Sequence, residues 1–131
     1  MSLLQLRYRR AWIASIWLLV LVIVVASLVP PTGMESVAGS DKIGHFAAYF
    51  ALTFLGSAIV TIRQLPWVMA RALVLGLAME ATQALLTDTR TADWADVLAN
   101  TGGVLAAWWL VHGRAGWAVA AEAWLAGLRR H

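Results

Sequence analysis

A chain of 131 residues that is 61% hydrophobic and 13% charged has too few charges to coat a soluble globule, where about a quarter of residues are charged. A bilayer supplies the missing apolar solvent, so the composition predicts one small integral membrane domain over residues 1–131. The net charge of +3 does not read as nucleic-acid binding, because the basic residues fall between apolar segments rather than along one face, and the lack of cysteine excludes disulfides, thiolate metal sites and a Cys nucleophile.

The first apolar segment runs from about Ala11 to Val29, after Arg7, Arg9 and Arg10 and before Pro30-Pro31. Its about 19 apolar residues exceed the about 7–15 of a signal-peptide core. No small-x-small cleavage site follows, so a retained signal-anchor helix is expected. A loop over Thr32–Ser40 leads to a second segment, about Lys42 to Ile62, with Ser40 or Asp41 as its cap and Arg63-Gln64 as its stop. Pro66 suits the first turn of a third helix, where a missing N–H has no consequence, and that helix continues to Leu86.

A short polar connection, Thr87–Thr91, precedes a fourth segment from Ala92 or Asp93 to Val111, with Gly113 as the expected stop. Its purely apolar part begins only at Val97. To cross about 30 Å of hydrocarbon it needs its polar first turn at the membrane surface or in a protein-lined cavity. The last segment, Trp117–Leu128, places Trp117, Ala121, Trp124 and Leu128 on one face and ends at Arg129-Arg130. That pattern suits a short helix lying in the interface, and about 13 residues is short for a fifth span. The expected fold is therefore all-α: an integral membrane four-helix bundle with spans near 11–29, 42–62, 66–86 and 93–111, and an amphipathic C-terminal tail near 117–128.

Orientation follows from the basic residues. Four spans put Arg7, Arg9, Arg10, Arg63, Arg71, Arg114, Arg129 and Arg130 on one side, and only Lys42 and Arg90 on the other. The positive-inside rule then places both termini in the cytoplasm. Trp12, Trp67, Trp94 and Trp117 fall near segment ends, as an aromatic belt would.

This topology gathers three polar stripes at the outer side. Asp41, His45 and Tyr49 are spaced i, i+4, i+8; Glu80 and Gln83 are i, i+3; Asp93, Asp96 and Asn100 are i, i+3, i+7. Each set shares one helical face, and all can point into one outward-opening pocket. Glu80 is the most informative, because a carboxylate among apolar neighbours costs about 2.5–3.5 kcal/mol on insertion scales unless it is paired or faces water. Its candidate partners are Arg90, His45 and Lys42.

Each stripe also has a structural explanation. Asp93 and Asp96 can be an N-cap and a first-turn acid, His45 a satisfied helix-end residue, Gln83 and Asn100 bridges between helices, and Glu80–Arg90 a structural ion pair. Gly44, Gly56 and Gly76 suggest close helix packing, and His112, Glu122 and His131 are assigned no role. The convergence of several polar residues at one membrane face is what favours a site.

In order and spacing, Asp41-Lys42-x-x-His45-Phe46, Glu80-x-x-Gln83 and Arg90-x-x-Asp93-x-x-Asp96-x-x-x-Asn100 resemble the VanZ-like membrane protein family, over about Asp41 to Gly103. The resemblance implies a helical protein of the bacterial cytoplasmic (inner) membrane. The family takes its name from a protein linked to resistance against the glycopeptide teicoplanin, and its molecular activity is not settled. Asp41, Lys42, His45, Glu80, Gln83, Arg90, Asp93, Asp96 and Asn100 are the motif residues carried over.

Two functional readings of different class follow, and neither assigns a cofactor. In the first, the site binds or modifies an envelope lipid or a lipid-linked cell-wall precursor. Lys42 and Arg90 would hold a phosphate, His45 would act as general base or proton shuttle, and Glu80 would orient or protonate. Asp41, Gln83, Asp93, Asp96 and Asn100 complete that binding set. In the second, the cluster locks the bundle or docks a protein partner, since no Ser or Cys nucleophile accompanies His45. A metal held by His45, Glu80, Asp93 and Asp96 is a third reading, but no recognised ligand spacing supports it and no metal is assigned. Polar groups confined to one side offer a transported ion no continuous path.

Overall fold

The computed structural model describes residues 6–28, 40–86 and 93–128. Its helices are α1 (Arg9–Leu28), α2 (Ser40–Ala58), α3 (Leu65–Leu86), α4 (Trp94–Val111) and α5 (Trp117–Leu128), and no strand occurs among the described residues. The all-α class expected from the apolar segments is thus the observed one. Among these residues, Arg9–Leu28 and Leu65–Leu85 are long and apolar enough to cross a membrane by length and composition. The other two long helices, α2 and α4, fall short of that measure because they carry the polar stripes, so the structure does not establish a four-span bundle.

Several boundaries differ from expectation for local reasons. Helix α2 already includes Ser40, so neither Ser40 nor Asp41 is its cap; Asp41 lies in the first turn, where its charge complements the helix dipole. The same helix ends at Ala58, well before Ile62. Beyond it, Gln64 Oε1 accepts from both the backbone N–H and the hydroxyl of Thr61, each at 3.1 Å, and this closes the turn that leads into α3. Pro66 occupies the first turn of α3 as expected. Asp93 is the N-cap of α4, its Oδ1 accepting from Ala95 N–H at 2.8 Å.

Gly113 does not supply the left-handed stop expected after α4. His112 ends that helix in right-handed geometry, its N–H donating to Trp108 O at 2.8 Å. The left-handed residue is Gly116, at φ 80°, where an L side chain would be strained. Its N–H donates to Ser57 O at 2.8 Å, so the turn into α5 is also tied to the end of α2.

Helix α2 touches all four other helices and packs most extensively against α4. Close approach is possible because Gly103 has no side chain: a Cβ there would strike Phe46 O and come within 2.9 Å of Phe50 N. Gly56 and Gly76 likewise lie under Val68 and under Asn100 with Tyr49, whereas Gly44 has open space around it and serves no packing contact. A core of Ile23, Tyr49, Leu52, Ala72 and Val104 joins α1 to α4.

On another face of α2, Phe46, Phe50 and Phe54 stack at the i, i+4 repeat, with centroids 6.3 and 6.1 Å apart. Trp117 of α5 stacks on Phe54 at 4.9 Å, and Trp12 of α1 meets Trp117 edge-on at 5.4 Å. Trp67 and Trp94 are exposed, as a belt requires, but Trp12 and Trp117 are turned inward onto each other. Trp117 therefore does not share an outer face with Trp124 and Leu128, which remain exposed.

Candidate functional site

The site forms where the first turns of α2 and α4 meet the second half of α3. Helix α2 contributes Asp41, Lys42, His45 and Tyr49; α4 and its cap contribute Asp93, Asp96 and Asn100; α3 contributes Glu80. The helical repeat puts each set on one face, and the glycine-mediated approach of α2 to α4 brings the two faces together.

Lys42 Nζ bridges two carboxylates, lying 2.8 Å from Asp93 Oδ2 and 3.2 Å from Asp96 Oδ1. It clasps α2 to the start of α4, and its charge is committed to those acids. Asp93 is occupied twice, by the cap and by Lys42.

His45 is largely buried and reaches Asp41, Glu80, Asp96 and Asn100. Its Nδ1 lies 3.1 Å from Asn100 Oδ1, an atom that can only accept, so the ring proton belongs on Nδ1. Nε2 then carries the lone pair, facing Asp96 Oδ2 at 3.7 Å and Asp41 Oδ1 at 3.9 Å. Donor atoms of Asp41, His45 and Asp96 all lie within 4.8 Å of one another.

Glu80 is 5% exposed, and its Oε1 has no hydrogen-bond partner. That oxygen lies 4.0 Å from His45 Nδ1. Deeper along α2, the hydroxyls of Tyr49 and Thr53 are also buried without partners. Among the described residues, the site gathers four carboxylates (Asp41, Glu80, Asp93, Asp96) and one cation, Lys42, which pairs with Asp93 and Asp96.

The structure thus brings together Asp41, Lys42, His45, Glu80, Asp93, Asp96 and Asn100. Gln83 is buried but reaches elsewhere, its Nε2 donating to Ser27 O at 2.8 Å and tying α3 to the end of α1. Arg90, and with it the Glu80–Arg90 pairing, lies outside the described residues. Thr53 was missed, although it continues the i+4 repeat of Asp41, His45 and Tyr49.

Glu122, to which the sequence assigned no role, accepts from the backbone N–H groups of Arg7 and Tyr8 at 2.7 and 3.1 Å and from Trp12 Nε1 at 2.8 Å. Desolvation pushes its carboxyl upward, but these donors and the Arg7 charge outweigh that effect and hold it below its ordinary value. Nothing in the local spacing signals this contact, whose partners lie more than a hundred residues away in the chain.

Two helices long and apolar enough to cross a membrane, and a carboxylate–imidazole cluster between helices at one end, define a small all-α protein. More particularly, the chain belongs to the VanZ/LLP1 family, whose model matches residues 5–115. The match takes in α1 to α4 and the whole polar cluster, so it extends the resemblance seen over Asp41–Gly103 to the first helix. No curated protein and no solved structure matches the chain.

Proposed function

We propose that α1 to α4 all span the bacterial cytoplasmic membrane, with both termini in the cytoplasm. In this reading the polar cluster opens at the outer face and binds or modifies the headgroup of an envelope lipid or lipid-linked cell-wall precursor. The observation that carries this is Glu80, a buried carboxylate with an unpartnered oxygen 4.0 Å from the imidazole of His45. Ionisable groups kept inside a membrane domain at such cost are retained for function by default. The excess of Arg on one side of the four segments supports the orientation.

His45 is the residue for proton transfer, because Asn100 holds Nδ1 and leaves Nε2 as the base. Glu80 modulates the imidazole through its charge, and Asp41 and Asp96 frame the exposed nitrogen. Arg90 is the remaining candidate for direct phosphate contact. The test is retention of polyprenyl phosphate by the purified protein in nanodiscs: wild type is expected to bind, with His45→Gln and Glu80→Gln weakened. Equal binding by all three, or none by wild type, would overturn the reading. The link to teicoplanin is tested by comparing the susceptibility of cells with and without the chain.

One observation favours a second reading, a non-enzymatic module whose cluster holds the bundle together or docks a partner. Lys42 joins α2 to α4 through two acids, as a structural clasp would. A stoichiometric protein partner lost on Asp93→Ala would support this alternative.

A further inference from the structure

We infer that Asp41, His45 and Asp96 form a binding site for one divalent cation of the Mn2+ or Zn2+ kind. The donor set is one imidazole nitrogen and two carboxylates, a combination suited to those ions. His45 Nε2 lies 3.7 Å from Asp96 Oδ2 and 3.9 Å from Asp41 Oδ1. An ion bound at about 2.0–2.2 Å from each ligand needs only a slight inward movement of these side chains.

The surrounding groups orient these ligands. Asn100 accepts from Nδ1 and so presents Nε2 with its lone pair, the outer-shell arrangement typical of metal-bound histidines. Lys42 takes Asp96 Oδ1 and leaves Oδ2 turned toward the imidazole. The second, independent observation is Glu80. It is buried, its Oε1 lacks a partner, and it lies against the same imidazole. Among the described residues four carboxylates face a single lysine, with one buried oxygen unsatisfied, and a divalent ion would offset that excess of negative charge.

This inference differs from the metal set considered on sequence grounds. Asp93 drops out because the α4 cap and Lys42 occupy it, and Asp41 takes its place. The cation would also offset the repulsion between these carboxylates and a phosphate. Three protein ligands leave positions open, and a headgroup phosphate oxygen is the natural occupant; with the ion bound, His45 Nε2 is its ligand and no longer the base. For that occupant alone the inference rests on the reading given above; the cation site itself does not.

The test separates the two. Full-length protein in detergent is stripped with EDTA and dialysed against Mn2+ or Zn2+ without lipid, then its bound metal is measured. Wild type is expected to take up about one equivalent, with proton release in unbuffered solution. Asp41→Asn, at an exposed position that leaves the helical spectrum intact, is expected to lose most of that uptake. Asn100→Ala is expected to weaken affinity by about 10–100-fold by freeing the imidazole. Uptake by wild type no greater than by Asp41→Asn would overturn the site. Polyprenyl phosphate binding is then measured with and without metal: lipid bound equally without metal sinks the bridging role, and metal bound without any lipid retention sinks the lipid reading while leaving the cation site standing.

Discussion

The side-chain oxygen of Asn100 lies 3.1 Å from His45 Nδ1, and this one hydrogen bond decides which imidazole nitrogen faces Asp41 and Asp96. The chain has three histidines, so nitrogen-15 labelling resolves them. In its neutral form, His45 is expected to show the Nδ1–H tautomer alone. Replacing Asn100 by Leu should let the ordinary Nε2–H form appear. A spectrum unchanged by the substitution would mean that Asn100 does not set the tautomer.

Gly103 and Gly44 should respond to alanine in opposite directions. A methyl group at Gly103 meets backbone atoms of Phe46 and Phe50, which a rotamer change cannot clear. Overpacking of this kind costs about 1–3 kcal/mol, so Gly103→Ala should lower the unfolding midpoint in detergent. Gly44 is helical and open, and alanine there should stabilise by about 0.5–1 kcal/mol through the helix propensity gained.

Glu80→Gln and Tyr49→Phe should leave stability unchanged or raise it by about 1 kcal/mol, because each removes a buried charge or hydroxyl that lacks a partner. A loss of several degrees in the thermal midpoint of both would assign the two groups to holding the bundle together. Retained stability with lost ligand binding would assign them to the site.

Glu122 gives the contact between α5 and the start of α1 a pH dependence. Its carboxyl titrates below the ordinary 4.5 in the folded protein. The stabilisation is therefore fully present above that ordinary value, and it is lost as pH falls through the lower folded one. Hydrogen exchange at the Arg7 and Tyr8 amides, which donate to Glu122, should accelerate across that acid range relative to amides elsewhere. In Glu122→Gln, protection of these amides should be weaker near neutrality and independent of that titration.

By itself, the sequence determined the all-α class, all five helix starts to within two residues, and seven of the residues that meet in the cluster. These follow from composition, from capping and proline chemistry, and from the helical repeat, which decides which side chains share a face of one helix. The repeat says nothing about the rotation of one helix against another, and that is where tertiary structure took over. Packing decided that Lys42 pairs with Asp93 and Asp96, 51 and 54 residues along the chain. The register of α2 on α4 gave Asn100 to one nitrogen of His45, turned the other toward Asp41 and Asp96, and made Gly103 indispensable where Gly44 is idle. Folding of the chain ends onto each other gave Glu122 its three donors. Hydrogen bonds and ion pairs depend on ångström-scale placement between elements, and only the packed chain supplies that placement.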